Sequence, residues 1–212
     1  MAAAVGEVCH RAIVADGRCI ANGTGTVVHT GPMSIEPDTK DWTWVLERPC
    51  AECGFDSAAV DRSALPDLIR ANTRAWSRAL ASPDVAVRPA ANVWSPLEYA
   101  CHVRDVHVLF DARVAAMLAE EGPSFADWDQ DATAVREGYR DQDPLQVELG
   151  LIEAAAAVAG RYATVAGGQW ARPGIRSNGS RFTVETLGRY HLHDVVHHLH
   201  DVGASTPSDV GG

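Results

Sequence analysis

The stretch richest in potential chemistry is residues 190–202, which holds five of the nine histidines in the chain. Apolar residues recur between them at helical spacing, which predicts an amphipathic helix. Two pairs of ligand-type side chains lie four residues apart, His193 with His197 and Asp194 with His198. Because residues four apart share a helix face, either pair could hold a divalent metal together with a ligand from another helix.

The direction of the apolar stripe favours one of the two pairs. On a helical wheel Asp194 and His198 lie about 115° from the centre of that stripe, and His193 and His197 lie about 145° from it. The nearer pair is the preferred one, and His197 is interpreted as a solvated surface residue. The pair His193 and His197 stays open as the alternative. His102, beside the apolar stripe of an earlier helix, is the predicted third ligand.

Four amphipathic segments of bundle length would position these ligands. Capping residues predict where three of them begin, since Ser95, Asp143 and Thr183 each suit an N-cap. The four segments lie within residues 56–81, 96–119, 144–165 and 184–203. Apart from a small hairpin predicted at Asn178-Gly179, no convincing set of strands is present. The sequence therefore predicts an all-α fold, an up-and-down four-helix bundle with an irregular N-terminal extension.

The remaining segments lie outside the bundle. Residues 1–32 are predicted to be a disordered extension, so that Met33 is a candidate start of a shorter protein, and residues 204–212 a disordered tail. Residues 33–55 form an N-terminal segment with a Cys50-x-x-Cys53 turn. This turn is half of a zinc ribbon, and no second Cys-x-x-Cys follows it. A zinc knuckle completed by distant ligands, a redox pair and a plain turn all remain open.

Composition narrows the class of partner. The net charge of −10 gives no basic surface for phosphate, which argues against nucleic acid and favours a small-molecule substrate. No apolar run approaches the roughly 20 residues that span a bilayer, so no membrane association is expected. Five cysteines, an odd number, and no apolar signal-peptide region predict a cytoplasmic protein with reduced thiols.

Two motifs resemble those of the DinB-like metalloprotein superfamily. Residues 94–107 (WSPLEYACHVRDVH) are similar to its first motif and residues 194–199 (DVVHHL) to its second. The resemblance implies a four-helix bundle with one histidine ligand from the second helix and two ligands four apart on the last. The first of those two is usually histidine, so Asp194 is a departure. The mycothiol-dependent maleylpyruvate isomerase branch, however, has a carboxylate at that position.

The resemblance implies a metal site formed by His102, Asp194 and His198. Zinc, nickel and iron all suit two imidazoles and a carboxylate. Asp105 and His107 are the candidate general bases or outer partners of the ligands.

Three functions remain open. The family resemblance implies S-transfer from a thiol of the mycothiol or bacillithiol type to a small electrophile that is bound against Trp128. Trp128 lies in residues 122–143, a segment predicted to be either a pocket wall or a solvated acidic loop. Hydrolysis of a small amide or ester is the first alternative. The second alternative is a non-catalytic metal-binding or sensor bundle, either a monomer or a homodimer, in which Cys50 and Cys53 act as a thiol switch. Arg104 and Arg113 are the nearest cationic candidates.

Overall fold

The computed structural model describes residues 14–15, 18–19, 35 and 40–204. The predictions of a disordered extension over residues 1–32 and a disordered tail over residues 204–212 therefore fall almost wholly outside the described residues. The chain divides into two units, Met1–Pro32 and Met33–Gly212. In the first unit a short antiparallel pair is formed by β1 (Val14–Ala15) and β2 (Arg18–Cys19).

The second unit contains the predicted four-helix bundle. Its elements, in chain order, are α1 (Leu65–Leu80), α2 (Pro96–Ala119), β3 (Ser124–Phe125), α3 (Gln130–Arg136), α4 (Pro144–Thr164), β4 (Pro173–Arg176), β5 (Arg181–Thr183) and α5 (Val184–Asp201). The all-α prediction is confirmed. The main helix contacts join α2 to α4, α4 to α1, and α5 to both α1 and α2. Among the described residues, no helix is long and apolar enough to cross a membrane.

Capping explains why α2, which carries His102, begins where it does. Ser95 accepts a hydrogen bond from the Glu98 backbone N–H, and the Glu98 carboxylate accepts one from the Ser95 N–H, with Pro96 at the first helical position. Glu98 is buried, and its charge is balanced by the Arg88 guanidinium. This network fixes the N-terminal end of α2, which lies about two turns before His102.

A three-stranded sheet, in the order β3-β4-β5, packs beside α2. β4 and β5 form the hairpin predicted at Asn178-Gly179, and Gly179 has a positive φ of 92° there. β3 pairs with β4 in parallel and was not predicted. Gly174 lets β4 approach α2 closely, because a Cβ there would lie 2.8 Å from the Met117 sulfur.

The segment before the bundle packs onto α5. Residues Trp42–Leu46 form a 3₁₀ helix whose N-terminus is capped by Asp41, and this helix contacts α5. Val45, Cys50 and Phe55 from the same segment are buried, and Cys50 and Phe55 belong to the hydrophobic core of the bundle. Residues 40–55 therefore cover one face of α5 that a bare four-helix bundle would leave in water.

Candidate metal centre

His102 projects from α2 into the space between the helices and is 1% exposed. Its ring stacks on Trp128, with centroids 5.2 Å apart and planes 12° from parallel, and contacts Trp94 on another side. Neither ring nitrogen makes a hydrogen bond to any described residue. Burial lowers the pKa of His102, so the imidazole is neutral and can offer a lone pair.

Asp194 and His198 face His102 from α5. Asp194 Oδ1 lies 3.6 Å from His102 Nε2 and 3.6 Å from His198 Nε2, while the two histidine rings stand nearly perpendicular with centroids 4.7 Å apart. These three side chains can place one ligand atom each within 4.8 Å of one another. The structure thus brings together the three residues that the resemblance implied.

The electrostatic surroundings keep Asp194 ionised. Burial alone would raise the pKa of this carboxyl, but the adjacent His102 and His198 rings outweigh burial and hold the pKa well below its usual range. On its other side His198 Nδ1 lies 3.0 Å from Asp201 Oδ2. A proton on Nδ1 that is donated to Asp201 places the lone pair on Nε2, which faces Asp194.

A cavity of about 760 Å³ opens beside this group. Asp194 and His198 line it, with His102 buried behind them. Aromatic and cationic side chains make up much of the rest of its wall: Trp42, Trp94, Tyr99, Phe110, Arg113, Trp128, Arg176 and Tyr190. Trp128, which the sequence placed in a pocket wall, is among them. Most of residues 127–131, which also line the cavity, are acidic. This part of the loop is therefore a pocket wall, as one prediction stated, and it is acidic, as the other stated.

Arg113, Arg176 and Lys40 are the cationic groups among the described residues that line this cavity. Arg113 is 5% exposed, donates from Nη2 to the Ala126 carbonyl at 3.1 Å and lies over the Phe110 ring. Arg176 Nε lies 3.4 Å from an Asp127 carboxylate oxygen. Arg113 was a sequence candidate. Arg176 was missed, because its position follows from the β4–β5 hairpin and not from any motif.

The two predicted general bases do not line this cavity. Asp105 accepts hydrogen bonds from the Tyr139 hydroxyl at 2.5 Å and from Arg104 Nε at 2.8 Å, beside a smaller pocket. His107 is completely buried, and its Nδ1 lies 2.9 Å from His191 Nε2. Their catalytic roles stay predictions.

His193 and His197 belong to a different group. Both are buried, at 3% and 7% exposure, so the interpretation of His197 as a solvated surface residue was wrong. The physical reason is the cover supplied by residues 40–55, which the helical wheel did not include. Together with Cys50 and Cys53 these histidines form a second cluster of ligand-type atoms within 4.8 Å of one another.

Comparison with known proteins identifies the fold family. The family model described as the DinB superfamily matches residues 67–202. Among solved structures the chain is similar to YfiT from Bacillus subtilis, described as "a probable metal-dependent hydrolase with an unusual four-helix bundle topology". The TM-score is 0.59 at 19% identity, over 66% of this chain and 82% of that one. No curated protein matches the sequence.

Proposed function

Because the chain belongs to the DinB superfamily, we propose that His102, Asp194 and His198 bind a catalytic divalent metal. The observation that carries this proposal is the convergence of their ligand atoms beside the large cavity. The donors fit a metal, because both His102 nitrogens and Asp194 Oδ1 are buried without a hydrogen bond among the described residues. Each such unsatisfied atom costs about 1–3 kcal/mol. Coordination would offset this cost at Asp194 Oδ1 and at His102 Nε2, the nitrogen that faces it.

The spacing of the donors also supports the proposal. A tetrahedral ion with bonds of about 2.0–2.1 Å separates its nitrogen and oxygen ligands by roughly 3.3 Å. The observed separations from Asp194 Oδ1 are both 3.6 Å. Zinc, nickel and iron all accept two imidazoles and a carboxylate. Three protein ligands leave coordination positions for water or substrate, as in catalytic sites.

For the reaction we infer S-transfer from a low-molecular-weight thiol, of the mycothiol or bacillithiol type, to a small electrophile. A divalent metal bound at this site would supply Lewis acidity, which lowers the pKa of a coordinated thiol or water. The thiol gives up its proton to solvent. Its sulfur then forms a bond to the electrophilic carbon as the bond between that carbon and its leaving group breaks, and the leaving group departs with the electron pair. A cavity of about 760 Å³ lies in the range of ligand pockets, roughly 300–1,000 Å³. Arg113 and Arg176 would bind an anionic group on either reactant.

Hydrolysis of a small amide or ester is the second candidate, favoured by the description of YfiT as a probable metal-dependent hydrolase. Attack by water usually needs a positioned general base. The two bases expected from the sequence, Asp105 and His107, lie outside the cavity wall. A thiol ionises far more readily than water, with a pKa of about 8.5 against about 15.7, so the position of these two bases weighs less against thiol transfer.

A paired assay tests the proposed function. Metal-loaded protein is mixed with a panel of electrophiles in the presence and absence of mycothiol or bacillithiol, and separately with activated esters and amides. We expect thiol-dependent turnover that is lost in His102→Ala and kept in His200→Ala, whose exposed imidazole belongs to neither ligand group. Thiol-independent hydrolysis would favour the second candidate. Failure of both assays with metal bound would indicate a non-catalytic metal-binding or sensor protein.

We also propose a cytoplasmic location. The described cysteines Cys50, Cys53 and Cys101 are free thiols, which a reducing compartment preserves.

A further inference from the structure

The cluster of Cys50, Cys53, His193 and His197 lies at the junction between the N-terminal segment and α5. Cys50 is 1% exposed, and its Sγ lies 3.7 Å from His197 Nδ1. A tetrahedral zinc ion with Zn–S of about 2.3 Å and Zn–N of about 2.0–2.1 Å would separate such a pair by roughly 3.6 Å. All four residues offer ligand atoms within 4.8 Å of one another, and both cysteines are free thiols.

We propose that these four side chains form a second, structural zinc site of the Cys₂His₂ type. Two cysteines three apart and two histidines four apart are the spacing that such sites use. The site is distinct from the group of His102, Asp194 and His198, and the proposal does not depend on any catalytic activity. Four protein ligands complete a tetrahedron and leave no position for substrate, so the zinc would hold the fold together and take no part in catalysis.

The local backbone around the cysteines is a tight turn. The Gly54 N–H donates to the Cys50 carbonyl at 2.9 Å, and the Cys50 N–H donates to the Phe55 carbonyl at 2.8 Å. Gly54 has a positive φ of 75°, a conformation that glycine adopts without strain. The turn brings both sulfurs to one side, where α5 presents its two histidines. Among the alternatives left open for the Cys-x-x-Cys turn, our proposal is therefore the knuckle completed from a distant helix.

The surroundings of the histidines fit ligands better than packing residues. His193 Nε2 is buried without a hydrogen bond to any described residue. With His197 Nδ1 directed at the cysteine, its Nε2 faces a Glu52 oxygen at 3.4 Å and an Asp201 oxygen at 3.7 Å. A carboxylate on the outer nitrogen of a ligating histidine orients the ring and raises its basicity. Glu52 comes from the cysteine turn itself, so one short loop supplies ligands and support.

Aromatic rings pack against the two histidines of the cluster. Trp42 contacts both histidine rings, with centroids 5.6 Å from His193 and 5.0 Å from His197, and Phe55 lies 5.5 Å from His193. Trp42, His193 and His197 also line the large cavity. A zinc ion here would therefore tie residues 40–55, which precede the region matched by the family model, to α5 and fix one wall of that cavity.

Cobalt substitution tests the site directly. Full-length protein is refolded or exchanged with Co²⁺, and its absorption is recorded in the near ultraviolet and visible. We expect the strong visible bands of a tetrahedral ion and a thiolate-to-cobalt charge transfer that is equally intense in wild type and in His102→Ala. Cys53→Ser, which keeps one of the two thiolates, should lose at least half of the charge-transfer absorption. Cys101→Ser is the matched control, since Cys101 is a buried thiol outside both clusters, and should keep it.

A second measurement covers the case in which Cys53→Ser does not fold. In wild-type protein we expect about one equivalent of zinc to be released when the thiols are titrated with an organomercurial, and zinc to slow alkylation of Cys50 and Cys53. Cobalt-loaded wild type without charge transfer, or thiols that react at the same rate with and without zinc, would overturn the proposal. Loss of charge transfer only in His102→Ala would also overturn it, by assigning the cysteines to the first site.

Discussion

His197 and His198 are neighbours in sequence, yet their imidazoles belong to different groups of ligand-type residues. The two rings stand at 83° to each other with centroids 6.0 Å apart. His197 turns toward Cys50 and the N-terminal segment, and His198 turns toward Asp194 and His102. One turn of α5 earlier, His193 and Asp194 divide in the same way. A single helix thus supplies an i, i+4 pair to each of two proposed metal sites.

Asp201 lies between the two groups of ligand-type residues and contacts one histidine of each. Its Oδ2 lies 3.0 Å from His198 Nδ1, and its Oδ1 lies 3.7 Å from His197 Nε2. Asp201→Asn keeps the shape and removes the charge that supports both rings. Loss of such an outer partner typically weakens metal affinity about 10–100-fold. We expect competition titration with a chelating dye to show this loss chiefly at the first site, where the contact is shorter.

Asp84→Asn is the matched control for Asp201→Asn, because Asp84 is exposed and belongs to neither group. It should bind both metals like wild type. Equal affinities in Asp201→Asn and Asp84→Asn would show that Asp201 does not support the ligands.

Trp128 should influence both the metal affinity of the site that contains His102 and the binding of the electrophile in the cavity. Its indole stacks on the His102 ring and donates a hydrogen bond from Nε1 to Thr133 Oγ1 at 3.0 Å. An aromatic pair contributes about 0.5–1.5 kcal/mol beyond its burial, which is roughly a 2–12-fold effect on an equilibrium. We expect Trp128→Ala to lower metal affinity at the first site by about that factor and to raise KM for the electrophile. Trp128→Phe should restore the affinity. If Trp128→Phe behaves like the alanine variant, stacking is not the cause.

The network at the start of α2 should stabilise the helix that carries His102. Ser95→Ala removes an N-cap, which typically costs about 1 kcal/mol of unfolding free energy. Arg88→Met should cost more, about 3–5 kcal/mol, because it leaves the 2%-exposed Glu98 carboxylate without its cation. Urea unfolding of metal-free proteins measures both changes. The double variant Arg88→Met/Glu98→Gln should recover part of the loss. No recovery would mean that the arginine acts through packing alone.

Local sequence signals predicted much of this architecture. The N-caps Ser95, Asp143 and Thr183 lie where the sequence placed them, since capping depends on a few neighbouring residues. The juxtaposition of His102 with Asp194 and His198 followed from helical spacing and the family resemblance. Their role as ligands remains a proposal.

Features that depend on distant packing were not predicted. β3 is only two residues long, and its partner strand lies some fifty residues later. The burial of His197 depends on residues 40–55, which have no helical or strand period to show that they pack on α5. A helical wheel shows only which residues of one helix share a face. It therefore could not predict that residues 40–55 cover this side of α5.

The buried pair His107 and His191 should make stability depend on pH. Burial lowers the pKa of His107 to about 4, and that of His191 well below its usual value. The folded protein therefore keeps His107 neutral at pH 5, whereas the unfolded chain binds a proton below about pH 6.5. This contribution to stability is complete above that pH and is lost as the pH falls toward 4. For His107 the loss from pH 7 to pH 5 is about 2 kcal/mol.

His107→Asn isolates that contribution, because asparagine does not titrate and can still hydrogen bond near the Nδ1 position. Urea unfolding with chelator present gives the free energy of unfolding of both proteins at pH 7 and pH 5. Ligand histidines titrate equally in the two proteins, so their effect cancels in the difference. We expect the wild type to lose about 2 kcal/mol more than the variant over this interval. Equal losses would mean that His107 takes up a proton in the folded protein, which its complete burial opposes.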